Sequence, residues 1–209
     1  MVASSSVGRC DEPGVRDPEA SSGVESCGTT ESWTGVIPAV DGCRVRGIVR
    51  HAGRVTGESG DGWAEGPGGA RYWGRYGAAG LLLLEPGGSV LLQHRAAWSH
   101  FGGTWGIPGG ARHRGESALD AAVREATEET GMPPGVVTER FESVLDLGFW
   151  SYTTVVADAA RRFEPRLADP ESIALRWTPV LAVDALPLHP RFAEAWPALR
   201  ARLGDPTAR

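Results

Sequence analysis

The stretch from Ser117 to Gly131 restricts the fold of this 209-residue chain more than any other, because it predicts a helix with defined ends. Ser117 is a favourable N-cap residue, and Asp120 three positions later completes a pair that resembles a capping box. Gly131, followed by the sequence MP, is a strong stop signal. We therefore predict a helix from about Ser117 to Thr130.

The residues of this helix divide into two faces. At about 100° per residue, the arc that we expect to face a sheet contains Leu119, Ala122, Val123, Ala126 and Thr130. A separate arc carries the glutamates Glu125, Glu128 and Glu129. Ala118 and Ala121 fall near that second arc, and their small side chains predict space for a ligand beside it.

The three glutamates repel one another, since like charges at i, i+3 and i+4 mildly destabilise an isolated helix. A loop that precedes the helix, GIPGGARHRGE, contains glycines that let backbone carbonyls point in unusual directions. Carboxylates together with a free carbonyl form a set of hard oxygen ligands, which suits Mg²⁺ or Mn²⁺. We interpret the glutamates as a divalent-metal site. The competing interpretation is a solvated acidic helix face.

Strand patterns surround this helix. The segment AAGLLLLEPGGSVLLQHR predicts a β-hairpin, and a short strand is expected near Thr104–Ile107. Three further strand candidates follow the helix: VVTERFESVLDL, WSYTTVVAD and SIALRWTPV. The C-terminal HPRFAEAWPALRARL predicts a second helix that is bent at Pro197 or begins near it. Mixed strands with one central and one terminal helix predict an α/β sandwich.

The N-terminal part of the chain has a different composition. Residues 1–32 are rich in Ser, Gly, Pro and Glu and have almost no large apolar side chains, which predicts disorder. Residues 33–77 form a Gly- and Trp-rich extension that ends in RYWGRYG and is expected to cover part of the sheet or to shape a pocket. The folded domain is predicted over residues 78–204.

Composition excludes several classes of protein. A formal net charge of −5 and a pI of about 5.6 argue against a nucleic-acid partner, which usually meets a basic face. Cys10, Cys27 and Cys43 form no C-x-x-C pair and predict neither a disulfide framework nor a zinc site. Neither a membrane-spanning run nor a signal pattern is present. We expect a cytoplasmic protein with a small-molecule partner, and the oligomeric state stays open, with a homodimer as one option.

The residues around the helix resemble the Nudix box, G-x5-E-x7-R-E-U-x-E-E-x-G-U. Its positions are filled by Gly110, Glu116, Arg124, Glu125, Glu128, Glu129 and Gly131, with Ala126 and Met132 at the two apolar places. Every fixed position matches. At roughly 7% usage per residue type, seven fixed matches arise by chance at about 10⁻⁸ per starting position.

The resemblance implies an α/β/α sandwich around a mixed β-sheet, and a hydrolase of a pyrophosphate bond in a nucleoside diphosphate linked to another group. In such enzymes a divalent metal, Mg²⁺ or Mn²⁺, activates the attacking water. The catalytic and metal-binding residues implied here are Arg124, Glu125, Glu128, Glu129 and the backbone carbonyl of Gly109. Glu116 resembles the partner with which Arg124 holds loop to helix, and Gly110 and Gly131 have structural places.

Outside the box the expectations are less specific. Glu171 lies where some Nudix enzymes keep another acidic group near the metal, although an exposed loop glutamate is an equal alternative. Arg95 ends a strand and is a candidate phosphate contact or a surface arginine. Trp98, Trp150 and Tyr152 are candidates for stacking on a base, with buried packing as the favoured alternative.

Two other functions share this fold. A nucleotide-sensing or binding module without hydrolysis would be expected to lose box carboxylates, and all are present in this chain. An isomerase of the isopentenyl diphosphate type is disfavoured by the intact hydrolytic spacing. Neither G-x-S-x-G nor a phosphate-binding G-x-x-x-x-G-K-[ST] loop occurs, which agrees with attack by water.

Overall fold

The computed structural model describes residues 57–204, so the predictions for residues 1–32 and for the first part of the 33–77 extension lie outside it. The strands are β1 Trp63–Glu65, β2 Arg71–Trp73, β3 Ala78–Leu84, β4 Ser89–Arg95, β5 Trp105–Gly106, β6 Gly109–Ala111, β7 Val137–Asp146, β8 Ser151–Ala159 and β9 Ser172–Pro179. The helices are α1 Ala118–Thr130 and α2 Pro190–Leu203, with short 3-10 segments at Pro67–Gly69 and Val180–Ala185.

Seven of these strands form one mixed sheet. The predicted hairpin is confirmed: β3 and β4 are antiparallel, but they pair only next to the turn, at Leu84 and Val90. Farther along, β6 pairs with β3 and β5 pairs with β4, so the β5–β6 segment lies between the two hairpin strands. On their other edges, β3 pairs in parallel with β8, which continues to antiparallel β7, and β4 pairs with antiparallel β9.

A helix covers each face of this sheet. On one face, α1 packs against Leu81 and Leu83 of β3 and against Val155 of β8. On the other, Phe192 and Trp196 of α2 pack with Leu82 of β3 and its neighbours. The alternation of side chains along β3 supplies both cores, because successive residues of a strand point to opposite faces. The predicted α/β/α sandwich is confirmed.

Helix α1 has the predicted ends. The Ser117 side chain accepts a hydrogen bond from the backbone N–H of Asp120 (3.0 Å), and Gly131 adopts the left-handed conformation with φ of 65°. The prediction of ligand space beside Ala118 and Ala121 was wrong. Both are buried in the core because α1 contacts β6 as well as β3 and β8, which widens its buried arc.

Helix α2 begins at Pro190 and runs through Pro197, so the alternative of a start near Pro197 was wrong. Proline is favourable in the first turn, where its missing N–H has no partner within the helix. His189 caps this end, since its Nδ1 accepts a hydrogen bond from the Arg191 N–H at 3.2 Å. Within residues 57–204, no helix is long and apolar enough to cross a membrane.

Candidate active site

The backbone of β6 forms hydrogen bonds with β3 on one side and with α1 on the other. On the β3 side, the Leu81 N–H donates to the Pro108 carbonyl at 2.9 Å, and the Arg112 N–H donates to the carbonyl of Gly77, the residue before β3, at 3.0 Å. Because polar groups alternate in direction along a strand, the N–H and C=O of Gly109 project from the opposite edge. The Gly109 N–H donates there to Glu129 Oε2 at 3.0 Å. The Gly109 carbonyl therefore has the direction that a ligand beside Glu129 would require.

Glu129 lies largely buried between α1 and β6. Burial, reinforced by the negative charges of Glu125 and Asp169, raises its pKa to about 8, although the Gly109 hydrogen bond and the positive charge of Arg95 oppose the rise. A carboxyl group with this pKa is protonated in part at neutral pH unless a cation compensates its charge. Its environment thus favours a bound cation.

Glu125 lies directly against Gly110. A Cβ atom at Gly110 would lie 2.6 Å from the carboxyl carbon of Glu125, so any other residue there would displace the Glu125 carboxylate from this position. Burial raises the pKa of Glu125, and the charges of Glu128 and Asp61 add to the rise, while a hydrogen bond from Arg124 opposes it. The Gly110 position of the box is therefore explained by close packing with a carboxylate.

Arg124 and Glu116 join the loop to the helix. Glu116 is 2% exposed and receives two hydrogen bonds from Arg124, Nε to Oε1 at 2.9 Å and Nη2 to Oε2 at 3.0 Å. Burial raises the pKa of Glu116, but the bonds from Arg124 and the His113 N–H outweigh it, and the pKa lies below the ordinary value. Arg124 also donates to the Ala111 carbonyl (2.9 Å) and to Glu125 Oε1 (2.8 Å). This network holds the loop, β6 and α1 together.

Glu128 does not converge with the other two glutamates. Its side chain is exposed and lies 3.4 Å from Arg124 Nη1. As placed within residues 57–204, no three His, Cys, Asp or Glu side chains form a group that could hold a metal ion. Glu125 and Glu129 fit a divalent cation by their burial and raised pKa, and Glu128 would have to turn from Arg124 to join them.

Arg95 and Glu171 pair with each other. Arg95 Nη2 lies 3.6 Å from Glu171 Oε2, and Arg95 Nε donates to the His100 carbonyl at 3.0 Å. The positive charge of Arg95 also acts on Glu129 and Tyr152. In the same loop, the acid whose charge raises the pKa of Glu129 is Asp169, a residue that the sequence patterns did not single out.

The aromatic candidates separate into two places. Trp98 is 69% exposed, so the expectation of buried packing was wrong for this residue. Trp150 stacks on Tyr72 with ring centroids 4.7 Å apart, and its Nε1 donates to the Gly74 carbonyl at 3.0 Å. Tyr152 lies 6.3 Å from Trp150, and its hydroxyl covers Gly80, which pairs with Gly109. Tyr152 thus lies between the glutamates and the stacked rings of Trp150 and Tyr72.

Sequence reasoning did not assign Tyr72, Asp61 or His189 to the site. Tyr72 and Asp61 come from the extension, and no local pattern places them beside Trp150 and Glu125. His189 lies against Gly106 and Phe101. Burial, with the positive charges of Arg95, His100 and Arg191, lowers the pKa of His189 to about 4.

Comparison with known proteins identifies the family. The sequence model of the NUDIX domain matches residues 74–199. The chain belongs to the Nudix family.

Relatives extend this similarity. A protein of Mycobacterium tuberculosis, provisionally named 8-oxo-dGTP diphosphatase 3, is 49% identical over 151 residues, 68% of this chain and 69% of that protein. A nucleoside triphosphate pyrophosphatase/Nudix hydrolase fusion protein of Bifidobacterium longum is 40% identical over 156 residues, 71% of this chain and 32% of its own. The crystal structure of a Nudix hydrolase from M. smegmatis matches with a TM-score of 0.63 and 50% identity, covering 68% of this chain and 94% of that one.

These similarities confirm the predicted family, its fold and its hydrolase class. Nudix hydrolases generally use divalent metals and act on small nucleotide-type substrates. The family match begins at residue 74, and the start of the domain at residue 78 stays a prediction.

Proposed function

We propose that this Nudix enzyme hydrolyses a pyrophosphate bond of a nucleoside triphosphate or a nucleotide derivative, with Mg²⁺ or Mn²⁺ as cofactor. The observation that carries the proposal is the pair of partly buried carboxylates, Glu125 and Glu129, held against Gly110 and Gly109. Two neighbouring, partly buried carboxyl groups with raised pKa values are unfavourable as free anions, and a divalent cation would stabilise their charged forms.

The residues have separate roles in this proposal. Glu125, Glu129 and, after it turns from Arg124, Glu128 would hold the metal together with the Gly109 carbonyl. When bound, the metal supplies charge neutralisation at the phosphate oxygens and lowers the pKa of a bound water. Glu125 is the proposed acceptor of the proton from the attacking water, because its carboxylate lies against Gly110 beside the proposed metal and burial raises its pKa above the ordinary value.

Arg95 is the proposed phosphate contact. The Arg95 side chain is 20% exposed, whereas the side chain of its partner Glu171 is 52% exposed. An incoming phosphate can replace Glu171 as the anion beside Arg95, since arginine binds phosphate through the same donors. Glu171 would then be free to approach the metal, as would Asp169 beside it.

The aromatic residues are the proposed nucleoside contacts. Tyr152 and Trp150 lead from Gly80, next to the glutamates, toward the surface. Exposed Trp98, three residues after Arg95, offers a second aromatic face. The name of the M. tuberculosis relative supports a purine deoxynucleoside triphosphate with an oxidised base as the first substrate to test. A cytoplasmic location belongs to the same proposal.

A substrate panel tests the proposal. Product release is measured with 8-oxo-dGTP, unmodified nucleotides, sugar nucleotides and dinucleotides, each with Mg²⁺, with Mn²⁺ and with chelator. We expect metal-dependent hydrolysis of at least one member, and Glu125→Gln serves as the inactive control. Tight nucleotide binding without turnover would instead support a sensing module, and equal turnover in chelator would refute the metal.

A further inference from the structure

We propose that residues 57–77 are a positioning element of the active centre, which holds the loop from Arg112 to Glu116 and thereby the carboxylates of α1. This inference rests on the proposed function for its catalytic consequence. Most of the element lies outside the family match, which begins at residue 74.

The first contact between the element and the loop is made by the backbone. The Arg114 N–H donates to the Glu58 carbonyl at 3.0 Å, and the Arg75 N–H donates to the Gly60 carbonyl at 2.8 Å. The Arg112 N–H donates to the Gly77 carbonyl at 3.0 Å. The segment around Gly60 is therefore bonded both to the loop and to the chain that enters β3.

Glycines allow the element to approach the loop closely. Gly60 is buried, and a Cβ atom there would overlap the carbonyl group of Arg112, with its carbon 2.8 Å away. A Cβ atom at Gly57 would lie 2.5 Å from the Arg114 carbonyl oxygen. Neither glycine has a positive φ, so close packing rather than backbone conformation requires glycine at these positions.

Side chains add a third contact. Arg114 Nη2 lies 3.2 Å from Glu58 Oε2, and Arg114 Nε and Nη2 donate to the Tyr76 hydroxyl at 3.2 and 3.1 Å. These groups are exposed, so each contributes little energy alone. Together with the backbone bonds, they fix Arg114 on both sides.

Hydrogen bonds within the loop connect Arg112 and His113 to Glu116, and through it to the carboxylate of Glu125. Arg112 Nε and Nη2 donate to the Glu116 carbonyl at 3.2 and 2.6 Å, and the His113 N–H donates to Glu116 Oε2 at 2.8 Å. Glu116 holds Arg124, which in turn holds Glu125. Every step is a direct hydrogen bond, so a shift of the loop reaches the carboxylate that the proposed mechanism uses.

The test uses full-length Gly60→Ala, with Gly204→Ala as the matched control, because a Cβ atom at Gly204 meets only Ala201 O at 3.7 Å. In Gly60→Ala we expect faster amide hydrogen exchange across residues 112–116, weaker Mn²⁺ binding, and a kcat lower by about 10- to 100-fold with little change in KM. Gly204→Ala should match the wild type in all three measurements.

A second variant adds no heavy atoms and covers the outcome that Gly60→Ala does not fold. Glu58→Gln combined with Tyr76→Phe should raise loop exchange and lower kcat by about two- to fivefold. Wild-type exchange across residues 112–116 in both variants, or in this pair alone if Gly60→Ala does not fold, overturns the inference. A lower Tm with unchanged kcat and Mn²⁺ affinity also overturns it. The exchange measurement needs neither substrate nor metal. It therefore tests whether residues 57–77 hold the loop even if the wild type proves inactive on every nucleotide.

Discussion

The carboxyl group of Glu129 lies largely buried between α1 and β6, and its loss of solvent makes the stability of the protein depend on pH. Its pKa is about 8 in the folded protein against an ordinary value of 4.5. Between these values the folded state keeps a proton that the unfolded state releases. The contribution of Glu129 to the stability of the metal-free protein is therefore greatest below about pH 4.5, and it is lost as the pH rises toward 8.

The variant Glu129→Gln tests this dependence. Its side chain is neutral at every pH, so between pH 5 and 8 we expect its metal-free Tm to fall less than that of the wild type. Glu128→Gln, in which an exposed residue changes in the same way, should keep the wild-type slope. Thermal melts at several pH values in chelator provide the measurement, and parallel curves for wild type and Glu129→Gln would contradict the prediction.

Glu125→Gln tests the proposed chemistry. Glutamine is nearly isosteric, so it keeps the contact with Gly110 but removes the charge and the proton acceptor. We expect kcat to fall by about 10² to 10⁴ while the circular dichroism spectrum is retained. Glu139→Gln, at an exposed position of β7, is the control with the same substitution. Near wild-type kcat at saturating Mg²⁺ would exclude Glu125 from the mechanism.

At the level of elements, Arg124 joins α1 to the loop before it. Arg124→Ala would leave Glu116 buried and without its cation, which costs about 3–5 kcal/mol for a buried pair. We expect the free energy of unfolding and the activity to fall together, in contrast to Glu125→Gln. Denaturant unfolding and initial rates measure the two quantities.

The double variant Arg124→Ala/Glu116→Gln separates charge from geometry. Removing the unpaired charge should recover part of the lost stability, because glutamine can still accept the His113 N–H. Activity should stay low, since loop and helix are no longer joined. If Arg124→Ala alone loses activity without losing stability, Arg124 acts on the substrate instead.

For the whole molecule, metal binding should appear as a gain in stability. A ligand that binds only the folded state adds about 2.7 kcal/mol at a concentration of 100 Kd. We expect Mn²⁺ to raise Tm in the wild type and to raise it much less in Glu129→Gln. The same shift in both proteins would show that the main cation site lies elsewhere.

Deletion of residues 1–32 tests the organisation of the chain. This segment lacks core-forming side chains, so we expect Tm and hydrolysis to change little. Deletion of residues 1–73 is the informative contrast, because it removes Gly60 and Glu58 from the loop. A large loss of stability in the shorter deletion would mean that residues 1–32 dock on the domain.

Local chemistry made much of this protein predictable from its sequence. The ends of α1 follow from Ser117 and Gly131, and the hairpin follows from two apolar runs around Pro86-Gly87-Gly88, because caps and turns depend on neighbouring residues. The spacing of Glu125, Glu128 and Glu129 likewise indicated the family, and their common role stays a prediction that rests on a helix placing such residues on one side.

Tertiary packing decided the rest. Ala118 and Ala121 are buried because α1 meets β6 as well as β3, and Glu128 turns to Arg124. Asp61, Tyr72 and the contact between Glu58 and Arg114 join residues far apart in the sequence, for which no periodicity gives a signal. The sequence by itself determined which carboxylates share a helix. Only the folded chain decided which of them are buried, because burial depends on segments that meet in space.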